Sequence, residues 1–480
     1  MRYKGGMARE FSQVSITHLD SRGLGRGTVA AGDGTTREVV AAGTLPGDLV
    51  DLRLRRRKQG VYHTSVTRLQ REGVARIEPF CRHFADCGGC TVQDLSYAQQ
   101  LAMKHAMVSA AFREAGMERL PSLPPVLPAP RGTHYRNKLE FSFGAQRWLS
   151  DDEIAGGESV GERRGLGFHV AGRFDRVLDL QECHLQGDPS ELVRSRVRSY
   201  ALERGLSFYD ARAHTGLLRL LMVRTTQAGE SMVVLMFGED DPAAVRQVMD
   251  DCAALLPEVD TLGYVVNTTG NDSIFPHEVH IVRGPGYLSE SCGPNRLRIR
   301  PKAFYQTNPE QAVQLYETAL AMTGLRREDR VLDLYCGIGS IALLLARRVA
   351  SVVGVESVAD AVTAARENAQ LNGITNAVFE AGEVETVLPD ILEREGHPDL
   401  VVVDPPRVGL HPRARRVLGE LGAQRLLYIS CNPRSQASDL AELAGPDGPY
   451  ELSALQPVDM FPQTRHVENI AVLHRRQAPR

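Results

Sequence analysis

The chain carries a single tryptophan, and aromatic residues make up only 6% of its 480 positions. It also lacks a charge excess: 56 lysines and arginines stand against 59 acidic residues, a formal net charge of −3. That balance excludes a globally basic nucleic-acid-binding protein, so any site for a polyanion must be local. No stretch reaches the roughly 18–20 apolar residues that a membrane helix needs. The opening MRYKGGMAREFSQ has charge but no apolar core, which excludes a secretory signal. Internal repeats and low-complexity tracts are missing too. A cytoplasmic protein with no membrane partner is therefore expected, and in that reducing compartment the eight cysteines are not expected to form structural disulfides.

What is present is ordinary in bulk and uneven in detail. A chain of 480 residues exceeds what one hydrophobic core serves, so two or three domains are expected. Residues 1–75 hold thirteen basic against seven acidic residues, including the run RLRRRK from Arg53 to Lys58. Between Ser12 and Leu69, short alternating runs separated by glycine turns predict a small β-barrel, taken as a domain at 10–71, with a basic face suited to an RNA backbone. A cysteine-rich segment follows. A helix is predicted over Tyr97–Ala115, where Leu101, His105, Val108, Ala111 and Phe112 recur at helical spacing, and PSLPPVLPAP ends it. Short strands interrupted by two helical stretches then predict an α+β central domain, bounded at 72–285. Thereafter strands alternate with helices, and apolar runs such as LVVV imply strands buried on both faces. The expected fold class is α/β, with a doubly wound C-terminal domain at 286–480 whose ligand lies beyond the carboxyl ends of its strands.

Five segments of that domain carry chemistry. The strand RVLDLYC runs into Gly337-Ile338-Gly339, where glycines let a ligand approach the backbone, and Glu356 ends the next strand, placed to accept hydrogen bonds from ribose hydroxyls. These two motifs alone leave an NAD site open. VVVDPPRVG places Asp404 at a strand end with two stiffening prolines; capping the turn is the plainer role for it. LLYISCNP places Cys431 at the end of the following strand, on the expected ligand edge. VDMFPQTRHVE supplies Glu468 just before a last strand; taken alone it reads as an ion-paired surface glutamate.

DLYCGIGS followed by VVGVE resembles the S-adenosylmethionine (SAM) site of class I methyltransferases. DPPRVG, LLYISCNP and VDMFPQTRHVE together resemble the signatures of the RNA uracil-C5 methyltransferases, with Ser435 in place of the usual threonine. Arg407 stands where amino-group methyltransferases carry an aromatic residue. The resemblance implies a Rossmann-like catalytic domain in which Cys431 is the covalent nucleophile and Glu468 the general base. It also implies that Gln306, Tyr335, Glu356 and Asp404 contact SAM. Uracil C5 is a poor nucleophile until a thiolate adds at C6, so these residue types suit the chemistry. Reaching a base within folded RNA implies base flipping.

The segment Cys81-x5-Cys87-Gly-Gly-Cys90 offers three soft ligands, suited to an iron–sulfur cluster or zinc; His83 would favour zinc. The resemblance adds Cys183 as the fourth ligand and a [4Fe-4S] cluster as the occupant. Cys252, Cys292 and Cys336 read as core cysteines. The N-terminal barrel resembles the TRAM module of RNA-modifying enzymes, and since the family's bacterial tRNA enzymes commonly lack barrel and cluster, the resemblance implies 23S ribosomal RNA as substrate; a monomer is expected. Methylation of tRNA at uracil 54, a cytosine-C5 enzyme and an inactive RNA-binding iron–sulfur protein are the alternatives.

Overall fold

The computed structural model describes residues 9–31, 34–150, 153–154 and 161–476; the N-terminal stretch through Ala8, part of the segment read for a signal, lies outside them. The chain forms two compact units, Met1–Pro79 with Val92–Ala129 and Asp404–Arg480, and Phe80–Thr91 with Pro130–Val403.

The first unit contains a closed barrel of β1 (Glu10–Leu19), β2 (Gly25–Ala30), β3 (Thr36–Ala41), β4 (Leu49–Lys58) and β5 (Val61–Arg71), in the order β1-β2-β3-β5-β4. Alternation puts Val14, Ile16, Val39, Val50, Leu52 and Tyr62 inside. Gly25 is required where β2 passes the turn after β3, because a Cβ there would lie 2.0 Å from Thr44 Oγ1. The basic run falls on the exposed half of β4. Arg57 lies over the Tyr62 ring at 5.9 Å, and Arg53 pairs with Glu10 at 2.9 Å.

The helix after the barrel spans Tyr97–Glu114 and starts with a capping box between Ser96 and Gln99. Its buried face differs from the predicted one. Val108, Ala111 and Phe112 are inside as expected, but Leu101 and His105 are only half-buried, while Gln100 and Lys104 are fully covered. Apolar periodicity could not anticipate this, because the helix turns polar groups toward polar partners. The same unit holds three strands in the order Arg425–Ser430, Glu468–Arg475, Tyr450–Val458, paired antiparallel. The proline-rich stretch is tied to them: Leu127 N–H donates to the Pro457 carbonyl at 2.9 Å.

The second unit has a seven-stranded sheet in the order His280–Arg283, Thr261–Val266, Ser231–Phe237, Leu218–Thr225, Lys138–Gly144, Gly165–His169, Val177–Asp179. Helices Ser190–Glu203 and Pro242–Leu255 cover one face of it through Val193, Val197, Val245 and Val248. The unit also holds four parallel strands in the order Ala377–Ala381, Ser351–Glu356, Arg330–Leu334, Leu400–Val403, the last buried throughout. Among the elements the sequence did not reveal are the hairpin Leu288–Cys292/Asn295–Ile299 and the helix Val384–Glu395, whose internal Pro389 obscures its periodicity. Among the described residues no helix is long and apolar enough to cross a membrane.

Candidate active site

In the first unit, three chain segments build an acid–thiol site. Cys431 follows the strand Arg425–Ser430 and precedes Asn432, which caps the helix Pro433–Leu443 by accepting from Arg434 N–H at 3.2 Å. Glu468 opens the antiparallel neighbour of that strand. Ser430 pairs with Asn469, so continuing the register by one residue sets Cys431 opposite Glu468. Behind them Gln436 and Asn469 lock the strands together: Asn469 Nδ2 donates to Gln436 Oε1 at 2.7 Å, and Gln436 Nε2 donates to the Tyr428 and Asn469 carbonyls.

The third segment is Asp404-Pro405-Pro406-Arg407. The Arg407 carbonyl accepts from Asn432 Nδ2 at 2.8 Å and from Ser435 Oγ at 3.1 Å, which fastens this loop to the one bearing the thiol. Ser435, the departure from the family pattern, therefore uses its hydroxyl. Further along, Asp439 accepts from Leu410 N–H and from the Tyr428 hydroxyl. Gly409 is needed there: its φ is +86°, and a Cβ would come within 2.7 Å of Asp439 Oδ2.

The electrostatics of the three groups are linked. Burial pushes the half-buried Cys431 thiol up to about 11, Glu468 and Asp404 push in the same direction, and Arg407 pulls it back through charge and a side-chain hydrogen bond. Glu468, 2% exposed, is raised well above the usual carboxylate range by burial and then by Asp404, with Arg407 opposing. Burial raises Asp404 to about 7. At neutral pH the free protein thus holds the Cys431 thiol protonated, and Arg407 is the cation that opposes the upward shift at both Cys431 and Glu468.

In the second unit, the loop Tyr335–Gly339 leaves the strand Arg330–Leu334 with positive φ at Tyr335 (66°), Gly337 and Gly339. A Cβ on Gly337 would meet nothing within 4 Å, so this face of the backbone is open to a ligand. Glu356 holds the loop: Oε2 accepts from Gly337 N–H at 3.1 Å, and Oε1 accepts from Val358 N–H at 3.0 Å. Gln306 is buried, and its carbonyl accepts from Asn137 Nδ2 at 3.2 Å. The open glycine turn beside a strand-end carboxylate fits the ribose and amino-acid ends of SAM.

The cysteine loop also lies in the second unit. None of the eight cysteines is in a disulfide; Cys81, Cys87, Cys90 and Cys183 are half-buried, and Cys252, Cys292 and Cys336 are buried as expected. Burial raises the Cys81 and Cys87 thiols, and Cys183 to about 11. Backbone N–H groups oppose this at each sulfur: His83 and Phe84 at Cys81, Gly89 and Cys90 at Cys87, Leu185 at Cys183. Cys81 and Cys87 each act electrostatically on Cys183. Two histidines lie near these sulfurs. His83 Nε2 accepts from Gln181 N–H at 3.1 Å, whereas His184 and Glu182 offer donor atoms within 4.8 Å of each other and of Cys81 Sγ.

Comparison with known proteins decides the family. Residues 295–476 match the model of the tRNA (Uracil-5-)-methyltransferase family. An RNA methyltransferase of Bacteroides thetaiotaomicron, described as uncharacterized, is 39% identical over 436 residues, 90% of this chain and 95% of that protein. One of Chlorobaculum tepidum, described likewise, is 36% identical over 481 residues, 99% of this chain and 98% of that one. The crystal structure of Pyrococcus abyssi tRNA (uracil-54, C5)-methyltransferase in complex with S-adenosyl-L-homocysteine superposes with a TM-score of 0.71 at 26% identity, covering 96% of this chain and 99% of that chain. The chain belongs to the RNA uracil-C5 methyltransferase family. It is a SAM-dependent RNA methyltransferase with the class I fold and an N-terminal barrel.

Two features of this methyltransferase escaped sequence reading. Arg407 was visible only as a missing aromatic, yet it is the cation that reaches Cys431. Phe304 is 66% exposed two residues before buried Gln306. An aromatic beside a polar motif residue was the available signal, but its exposure is a tertiary property.

Proposed function

We propose that this methyltransferase forms 5-methyluridine in 23S ribosomal RNA, with Cys431 as nucleophile and Glu468 as base. The observation that carries the reading is the register that sets Cys431 opposite Glu468, in a setting where Arg407 opposes the upward shift of the thiol. The Cys431 thiol loses its proton to bulk water, Arg407 stabilises the resulting thiolate, and its addition to C6 of the uracil turns the ring into an enolate with a nucleophilic C5. SAM supplies an electrophilic methyl group when bound, held by Gln306, Tyr335, Glu356 and Asp404. Glu468 then removes the C5 proton, and the sulfur–C6 bond breaks to release Cys431. Burial raises the proton affinity of Glu468, which favours the acceptance of that proton once the carboxyl has ionised. Exposed Phe304 offers a face on which a flipped base can stack.

The same reading divides the chain into a TRAM-like RNA-binding barrel at 10–71, a central domain at 72–285 and a catalytic domain at 286–480, acting as a monomer in the cytoplasm. It gives Cys81, Cys87, Cys90 and Cys183 to a [4Fe-4S] cluster. Support comes from the backbone N–H groups aimed at three of these sulfurs, a donor pattern that stabilises thiolates permanently. Barrel and cysteine loop together favour ribosomal RNA. A second reading, tRNA uracil 54, draws on the near-complete overlap with the Pyrococcus abyssi enzyme.

Mapping 5-methyluridine in a strain lacking the gene tests the substrate. Loss confined to 23S rRNA supports the proposal, loss at tRNA position 54 replaces it with the second reading, and no loss in either overturns both. Iron and acid-labile sulfide in equal amounts in anaerobically purified protein support the cluster; zinc without sulfide refutes it.

A further inference from the structure

The buried polar face of the helix Tyr97–Glu114 meets the loop that leads into Glu468. That loop runs from Asp459 to Val467, and its flanking residues Val458 and Glu468 are partners in the antiparallel ladder. A shift of the loop therefore shifts the carboxylate. Gln100 and Lys104 lie one turn apart on the helix, 1% and 0% exposed, and point the same way. Lys104 Nζ donates to Asp459 Oδ1 at 2.5 Å and to the Phe461 carbonyl at 3.0 Å. Asp459 accepts in addition from the Tyr97 hydroxyl and from Phe461 N–H, both at 3.0 Å.

Gln100 makes a reciprocal pair with Gln463. Its Nε2 donates to Gln463 Oε1 and its Oε1 accepts from Gln463 N–H, each at 2.9 Å. Gln463 has a φ of 68° although it is not glycine, a conformation that persists only when its surroundings impose it. Val92 N–H adds a bond to the Gln463 carbonyl at 3.2 Å. The helix thus acts as a template for the loop.

We propose that Gln100 and Lys104 are positioning residues for Glu468, holding the Asp459–Val467 loop so that the carboxylate meets the C5 proton. This rests on the reading of Glu468 as the base. Two variants test it. Gln100→Leu removes both reciprocal bonds. Gln463→Gly relieves the positive φ, so it folds readily, while removing the side chain that receives Gln100.

Both are assayed for methyl incorporation, tritium release from RNA carrying [5-³H]uridine, covalent protein–RNA adduct on denaturing gels, and SAM and RNA binding. Expected is a fall in turnover on the order of 10- to 100-fold, as a small misplacement of a reacting group produces. Adduct accumulates, tritium release lags methyl incorporation, and binding is unchanged. Normal turnover in Gln463→Gly, or slow turnover without adduct, overturns the proposal, because a merely structural helix does not stall the reaction after methyl transfer. Glu468→Gln is the control. If it traps adduct and the two variants do not, positioning alone fails; if Glu468→Gln traps nothing, the reading of the base fails first.

Discussion

Two regions of this protein gather sulfur and tune it by different means. Around Cys431 the tuning groups are side chains: two carboxylates raise the thiol and one guanidinium lowers it. At Cys81, Cys87 and Cys183 the thiol is lowered mainly by backbone N–H groups, with charges such as Glu182, Asp86 and Arg194 acting beside them. Side-chain charges can gain or lose protons during a turnover, so they suit a thiol that must bond and then leave. Backbone dipoles are fixed, so they suit a sulfur that stays a thiolate on a metal. Burial is common to both regions and does not discriminate them.

The comparison can be broken by exchanging what each region lacks. The largest effect is expected from Cys431→Ala, which abolishes methylation while calorimetry shows SAM binding nearly intact; Cys183→Ser should instead leave measurable single-turnover methyl transfer. Next comes Glu468→Gln, with turnover down about 10²–10⁴-fold and the protein trapped on RNA, visible as a shifted band on a denaturing gel; free, fully methylated product from this variant refutes the base.

The same variant reports on stability. A carboxyl raised in the folded state penalises folding progressively as pH climbs from its unfolded value toward its folded one. Glu468→Gln should melt above the parent at pH 8, with the gap closing by pH 4. A gap that is constant with pH would mean that burial is not the cause.

Arg407→Gln sharpens the contrast on a smaller scale. Arg407 is exposed and opposes the upward shift of the thiol, so turnover near pH 7 should fall severalfold without it. Losing the cation raises the thiol further, and the deficit should narrow as pH rises toward the value of the thiol. The smallest change in chemistry is expected from Cys87→Ser: under the proposed cluster assignment its iron content falls and RNA binding weakens, while the rate of adduct formation at saturating RNA stays near that of the parent.

How much of this was legible beforehand depended on the kind of signal. The barrel and the parallel strands announce themselves through alternation and continuous apolar runs, since burial of one face or two leaves a periodic trace. DPPRVG, LLYISCNP and VDMFPQTRHVE were visible as motifs because each is a short local segment. Helix Val384–Glu395 was missed because Pro389 interrupts its pattern. The buried face of Tyr97–Glu114 was misjudged because Gln100 and Lys104 look like surface residues until their partners, more than 350 positions away in sequence, are known.

The sequence by itself determined the family, the fold class and the candidate residues for the reaction, because periodicity and short motifs are encoded between near neighbours. Tertiary structure alone decided that Arg407 acts on Cys431, that His184 and Glu182 stand beside Cys81, and that Lys104 holds Asp459. Those relations join distant segments through hydrogen bonds and charge. Their energies exist only once water is gone and the partners meet, and no local pattern records them.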